Sequence, residues 1–188
     1  MFCREICGIP VSFSKGLYIA NVYKRVMLIS NTSTLILLAK VTSLSAFLDE
    51  IKEIAIPKIV YHELTTKEDS FDVLLIKKEF EKKRILVFDV DRGSYASIMK
   101  QFKMDEGEAA AYSLFKQEKG HGILTDDSEL IKLCKIEGVP FTCSMAAIVR
   151  LCKKGKLTRE DALEKIDGLY KHGWYSNEIY NYFKEKVI

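Results

Sequence analysis

The sequence predicts an α/β domain built on a mostly parallel sheet. Three observations carry that reading. Short runs of apolar, β-favouring residues alternate with longer stretches of helical periodicity. The links between them are only a few residues long, as successive strand–helix units require. Gly (10) and Pro (3) are scarce in a chain of 188 residues, which argues against flexible linkers and low-complexity tails.

The elements follow in order. Val26–Ser30 is a compact apolar strand, and Ser33–Ala39 and Leu44–Asp49 are short helices. Ile54–Ile56 is a brief strand ending at Pro57, whose fixed φ suits the first position of a helix continuing through Ile59–Thr65. Phe71–Lys83 is an amphipathic helix and Ile85–Phe88 the next strand. Tyr95–Phe102 and Glu106–Lys119 are helical, the latter driven by Ala109, Ala110, Ala111 and Leu114. Gly122–Thr125 is a strand, Ser128–Ile136 a helix and Val139–Phe141 a last short strand. Three helices close the chain, near Ala146–Lys154, Arg159–Lys171 and Asn177–Lys186. Thr158 is placed to cap the middle one, with Glu160 and Asp161 in its first turn. Residues 1–25 lack a periodic pattern and read as an appendage, with Met27 as an alternative start; residues 26–188 read as the domain.

Hydrophobic residues make up 48% and charged residues 29%, the balance of a globular protein rather than a disordered or fibrous one. A net charge of +3 permits a nucleic-acid partner without demanding one. The longest clean apolar run, Leu35–Ala39, falls far short of the roughly 18 residues of a membrane span. Arg4 and Glu5 followed by Gly8, Pro10 and Ser12 do not make a signal peptide, so the expected location is cytoplasmic, with no membrane association. Five Cys without a CxxC argue against a disulfide framework, and neither Cys3 with Cys7 nor the scattered His62, His121 and His172 form a zinc pattern.

In parallel sheets, ligands bind beyond the carboxyl ends of the strands. The polar residues there are Asn31, Thr32 and Ser33, then Asp89 and Asp91, then Asp126 and Asp127. Glu63 and Glu108 lie on helices that can face the same edge. Carboxylates gathered at one edge either raise a pKa or recruit a cation. Oxygen-only donors suit Mg²⁺ or Mn²⁺, which can activate water and stabilise charge on phosphate. Taken singly, the same acids are equally consistent with surface residues at helix starts.

As a set they resemble the PIN-domain ribonucleases, in particular the VapC-like toxin branch. "LISNTSTLILLAK" resembles the first-strand motif, in which an acid is followed two residues later by Ser or Thr. "IPKIVYHEL" and "DEGEAAAYSLF" resemble the helices bearing the second and third acids, here Glu63 and Glu108. "GILTDDSELIKLC" resembles the strand followed by Thr-Asp-Asp, and "IEGVPFTCSMAAIVRLCKKGKLT" the closing strand and helix. The likeness covers about residues 26–188.

The resemblance implies a three-layer PIN-like fold with a C-terminal helical extension. It implies that Glu63 and Glu108 coordinate Mg²⁺ or Mn²⁺, that Asp127 is the fourth acid with Asp126 beside it as ligand or support, and that Ser33 orients an acid or a water. Asn31 departs from the pattern, standing where many PIN nucleases carry Asp; its neutral carbonyl ligates a hard cation more weakly. The implied function is metal-dependent endoribonuclease activity of a toxin, with an RNA substrate, a small antitoxin partner and a homodimer. The alternative, favoured by Asn31, is a catalytically weak PIN-like module that binds RNA or protein.

Asp89-Val90-Asp91 also resembles the DxD motif of HAD-type phosphatases, but the 36 residues from Asp91 to Asp127 leave no room for the intervening motifs. No phosphate-binding glycine loop occurs. The basic runs Lys77, Lys78, Lys82, Lys83, Arg84 and Lys153, Lys154, Lys156 read as solvated helix faces or phosphate contacts. Trp174, Tyr175, Tyr180, Tyr182 and Phe183 read as core or dimer packing ahead of base stacking.

Overall fold

A computed structural model describes residues 27–66 and 70–187. The expected N-terminal appendage, with Cys3 and Cys7, and the first residue of the expected first strand, Val26, lie outside the described residues.

Fifteen elements are present among the described residues. They are β1 (Met27–Ser30), α1 (Thr32–Lys40), α2 (Leu44–Ile51), β2 (Glu53–Pro57), α3 (Lys58–Thr66), α4 (Phe71–Glu81), β3 (Ile85–Phe88), α5 (Arg92–Phe102), α6 (Glu106–Glu118), β4 (Gly122–Leu124), α7 (Ser128–Glu137), β5 (Phe141–Thr142), α8 (Ser144–Lys153), α9 (Arg159–His172) and α10 (Asn177–Lys186). The five strands form one all-parallel sheet in the order β3-β2-β1-β4-β5. The expected α/β fold with a parallel sheet between helical layers is therefore what the chain adopts.

Both faces of the sheet are covered, as an all-parallel sheet requires. Successive strand residues point to opposite faces, and the core clusters divide accordingly. Leu28, Ile54, Ile56 and Leu124 pack with residues of α1, α2, α3, α4, α8, α9 and α10. Ile29, Ala55 and Ile123 face the other way, against α6 and α7. Ala109, Ala110 and Ala111 are fully buried, and their short side chains let α6 lie close on the sheet.

Several boundaries differ from the sequence expectation, for local reasons. Pro57 ends β2 rather than opening α3, pairing with Phe88 of β3. It lies beyond Ala55, the last residue in register with β1, where its missing N–H is tolerated. The last strand is shifted to Phe141–Thr142. Helix α5 starts at Arg92, three residues earlier than its periodicity indicates, with Asp91 at the N-cap position. Thr158 caps α9 as expected and forms a reciprocal capping box with Asp161.

The position of the site follows from the strand order. Strand β1 is flanked by β2 on one side and β4 on the other, so the chain's direction of progress across the sheet reverses between β1 and β4. That reversal opens a crevice at the carboxyl edge. Asn31 follows β1 directly, and Asp126 and Asp127 follow β4 after one residue. Helix α6 leads into β4, so it runs against the strand direction and its N-terminus, bearing Glu108, reaches the same edge.

Candidate active site

Three of the helices that begin at this edge are each capped by an oxygen-bearing side chain. Asn31 is buried, and its amide oxygen accepts from the Thr34 N–H of α1 at 3.4 Å. Asp105 accepts from the Glu108 N–H at 2.8 Å, while the Glu108 carboxylate accepts from the Asp105 N–H at 3.2 Å. This capping box fixes the start of α6. Asp127 accepts from the Leu130 N–H of α7 at 2.8 Å, and its own N–H donates to the Thr125 hydroxyl at 3.1 Å. The three helix starts bring partial positive charge to an edge crowded with acids, which lowers the cost of gathering them.

Glu108 and Asp127 are brought close together, and the Glu108 carboxyl is pushed up from 4.5 to about 8. Burial is the largest cause, followed by the charges of Asp105 and Asp127. Below about pH 8 Glu108 thus favours its protonated form.

Glu63 approaches the start of α6 from α3. Its carboxylate accepts from the Thr32 hydroxyl and lies over the backbone of Gly107. A methyl group at Gly107 would stand 3.1 and 3.3 Å from its two oxygens, so the glycine of the Gly-Glu-Ala run makes room for the acid. Ser33, the expected orienting hydroxyl, has an exposed side chain; the hydroxyl that bonds an acid belongs to Thr32, one residue earlier.

Asp126 and Asp127 are adjacent in the chain but face different surroundings. The Asp126 carboxylate accepts from the Ser144 N–H at 3.1 Å, the Ser144 hydroxyl at 3.0 Å and the Tyr175 hydroxyl at 2.6 Å. Burial raises its pKa against the opposing effect of those hydrogen bonds. Among the described residues, no group of three or more His, Cys, Asp or Glu side chains stands close enough to hold a metal ion. The acids therefore form a pair, Glu108 with Asp127, with Glu63 held nearby by Thr32.

Sequence reasoning named Thr32 at the sheet edge without a role, read Tyr175 as core or dimer packing, and passed over Asp105 and Ser144. The Asp-x-x-Glu spacing of Asp105 and Glu108 is a readable capping signal. Ser144 and Tyr175 reach Asp126 across 18 and 49 residues and leave no local pattern. The HAD-type reading is unsupported: Asp89 pairs with Lys58 at 3.3 Å, and Asp91 stands at the N-cap of α5. Of the basic run, Lys82 and Arg84 pair internally with Glu79, and Arg84 also pairs with Asp49. No helix among the described residues is long and apolar enough to cross a membrane.

Neither the curated proteins nor the solved structures contain a match to the chain. A family model described as a PIN domain matches residues 27–187, which include every described strand and helix and all the acids at this edge. The chain therefore belongs to the PIN-domain family.

Proposed function

We propose that the protein is a divalent-metal-dependent endoribonuclease acting through Glu63, Glu108 and Asp127, with Asn31 as a fourth, neutral donor. PIN domains are generally nucleases that bind RNA and typically use divalent metal ions. The observation that carries the reading is the Glu108–Asp127 pair at the reversal point of a parallel sheet. A carboxyl that keeps its proton near a second carboxyl is poised to exchange that proton for a hard cation.

The donor chemistry suits such an ion, carboxylate and amide oxygens with no thiolate or imidazole among them, and Glu63 would have to close on the Glu108–Asp127 pair to complete the set. When bound, Mg²⁺ or Mn²⁺ would supply a water of lowered pKa and a counter-charge for the phosphate. The protein's own residues do the positioning. Thr32 fixes Glu63 by its hydroxyl, Asp105 fixes the backbone and side chain of Glu108, and Leu130 anchors Asp127. A cleft of about 160 Å³ beside α3 is lined by Pro57, Lys58, His62, Asp89 and Tyr95, with Lys58 and Asp89 paired at its wall.

The finer assignments rest on the likeness of the motifs to the VapC-like branch: a toxin, a small antitoxin partner, a homodimer and a cytoplasmic site of action. The second reading is an RNA- or protein-binding module with little catalysis. It is favoured by Asn31 and by the absence of three convergent acids among the described residues.

The deciding experiment incubates a mixed RNA pool with the protein in Mg²⁺, in Mn²⁺ and in chelator, with Glu108→Gln as control. The nuclease reading expects metal-dependent cleavage that the variant loses, and a melting temperature raised by millimolar Mn²⁺. RNA that is retained but left intact, with melting indifferent to Mn²⁺, establishes the binding module instead.

A further inference from the structure

We propose that Tyr175, Ser144 and Asp126 form a latch through which the C-terminal helices set the position of Asp127, making these three residues positioning residues of the acid site. The proposal rests on the nuclease reading given above.

The geometry begins with Asp126. Its carboxylate receives three donors, two from the start of α8 and one from Tyr175 in the segment joining α9 to α10. The Tyr175 hydroxyl also lies 2.6 Å from the Ser144 hydroxyl, so either hydroxyl can donate to the other in place of its bond to Asp126. The Asp126 N–H donates to the Thr34 hydroxyl at 3.0 Å, and the Thr34 N–H in turn bonds Asn31. One residue thus ties the turn after β4 to α1, to α8 and to the α9–α10 segment.

Asp127 is the next residue, its Cα only about 3.8 Å further along a planar peptide. Its other side is held by the cap on Leu130. With both ends fixed, the carboxylate that meets Glu108 has little freedom. The carboxylates that line metal sites are oriented by such outlying hydrogen bonds.

The chain is shaped to deliver Tyr175. At Gly173 an added methyl carbon would fall 2.3 Å from the Tyr175 ring, so the ring folds back over a position that only glycine leaves open. The intervening Trp174 is fully exposed, while Phe183 and Val187 at the end of the chain are buried in the main core. The C-terminal helices are therefore anchored, and the aromatic that they turn toward the acid edge is Tyr175.

Tyr175→Phe removes the hydroxyl and keeps the ring; Ser144→Ala and Gly173→Ala strike the latch from two other sides. Three measurements are made on each full-length variant: Mn²⁺ affinity by calorimetry, metal-dependent RNA cleavage, and hydrogen exchange of the peptide spanning residues 125–130. The latch expects faster exchange in that peptide for all three. It also expects roughly 10–100-fold losses in Mn²⁺ affinity or cleavage while the protein stays folded. Ser144→Thr, which keeps the hydroxyl, should recover most of the loss. Unchanged exchange with unchanged Mn²⁺ affinity in Tyr175→Phe overturns the latch. So does a loss of activity no larger than the loss of folded protein. If the unaltered protein neither binds Mn²⁺ nor cleaves RNA, the nuclease reading fails separately, and the exchange data alone decide whether Tyr175 holds the turn.

Discussion

Replacing Glu108 with glutamine isolates the electrostatic cost of the acid site. In the folded protein the Glu108 carboxyl stands at about 8, against 4.5 in the free side chain. Folding therefore favours its protonated form, and this contribution is full below about pH 4.5 and lost as pH rises to about 8. A difference of about 3.5 units at 1.36 kcal/mol each sets a ceiling of roughly 5 kcal/mol. Glu108 is only partly buried, and solvent screening reduces the expected effect to on the order of 2 kcal/mol. The amide oxygen introduced by Glu108→Gln can still accept from the Asp105 N–H, so the capping box survives while the titration disappears. Urea unfolding in chelator at pH 5, 6, 7 and 8 measures the difference. The unaltered protein should lose about 2 kcal/mol across that range, or roughly 4–8 °C in melting temperature, and Glu108→Gln should lose much less. A shallow residual slope belongs to Asp126, whose carboxyl is also raised by burial. Parallel stability curves for the two proteins would refute the idea that Glu108 carries the strain of the site.

Three other contacts lead to outcomes of their own. Asn31→Asp should tighten Mn²⁺ binding by about 1–2 kcal/mol in calorimetry, the gain of a charge-assisted contact over a neutral one, while slightly lowering metal-free stability; equal affinities would leave Asn31 as the cap of α1 alone. Thr32→Val removes the hydroxyl that holds Glu63 and should reduce RNA cleavage more than Ser33→Ala, a comparison read directly from initial rates. Arg84→Ala takes the guanidinium away from the buried Glu79 and should cost about 2–4 kcal/mol in urea unfolding, without altering Mn²⁺ affinity.

The fold was legible because each strand and helix announces itself locally. The apolar run of β1, the alanines of α6 and the cap at Thr158 all act within a few residues of their own position. The motifs pointed Glu63, Glu108 and Asp127 toward one edge because, in a parallel sheet, the strands end and the connecting helices begin on the same side. What stayed hidden depends on rotations and distant partners. The family likeness pointed to Ser33; the Thr32 hydroxyl, which bonds Glu63 from the first turn of α1, drew no role from it. Two consecutive aspartates look alike in sequence; one caps α7 and meets Glu108, while the other meets a serine 18 residues away and a tyrosine 49 residues away. Pro57 misled by one residue because a helix start and a strand end tolerate the same missing N–H.

The pairing of β1 with β4 has a consequence for the newborn chain. Leu28 sits beside Gly122, a partner 94 residues later in synthesis. Contacts so distant in sequence close late, because the intervening loop must be ordered before they form. A polypeptide emerging from the ribosome carries Asn31 and Glu63 long before it carries Asp127, and Tyr175 follows later still. A chain interrupted anywhere before β4 lacks part of the acid set. On the nuclease reading such a fragment is harmless to RNA.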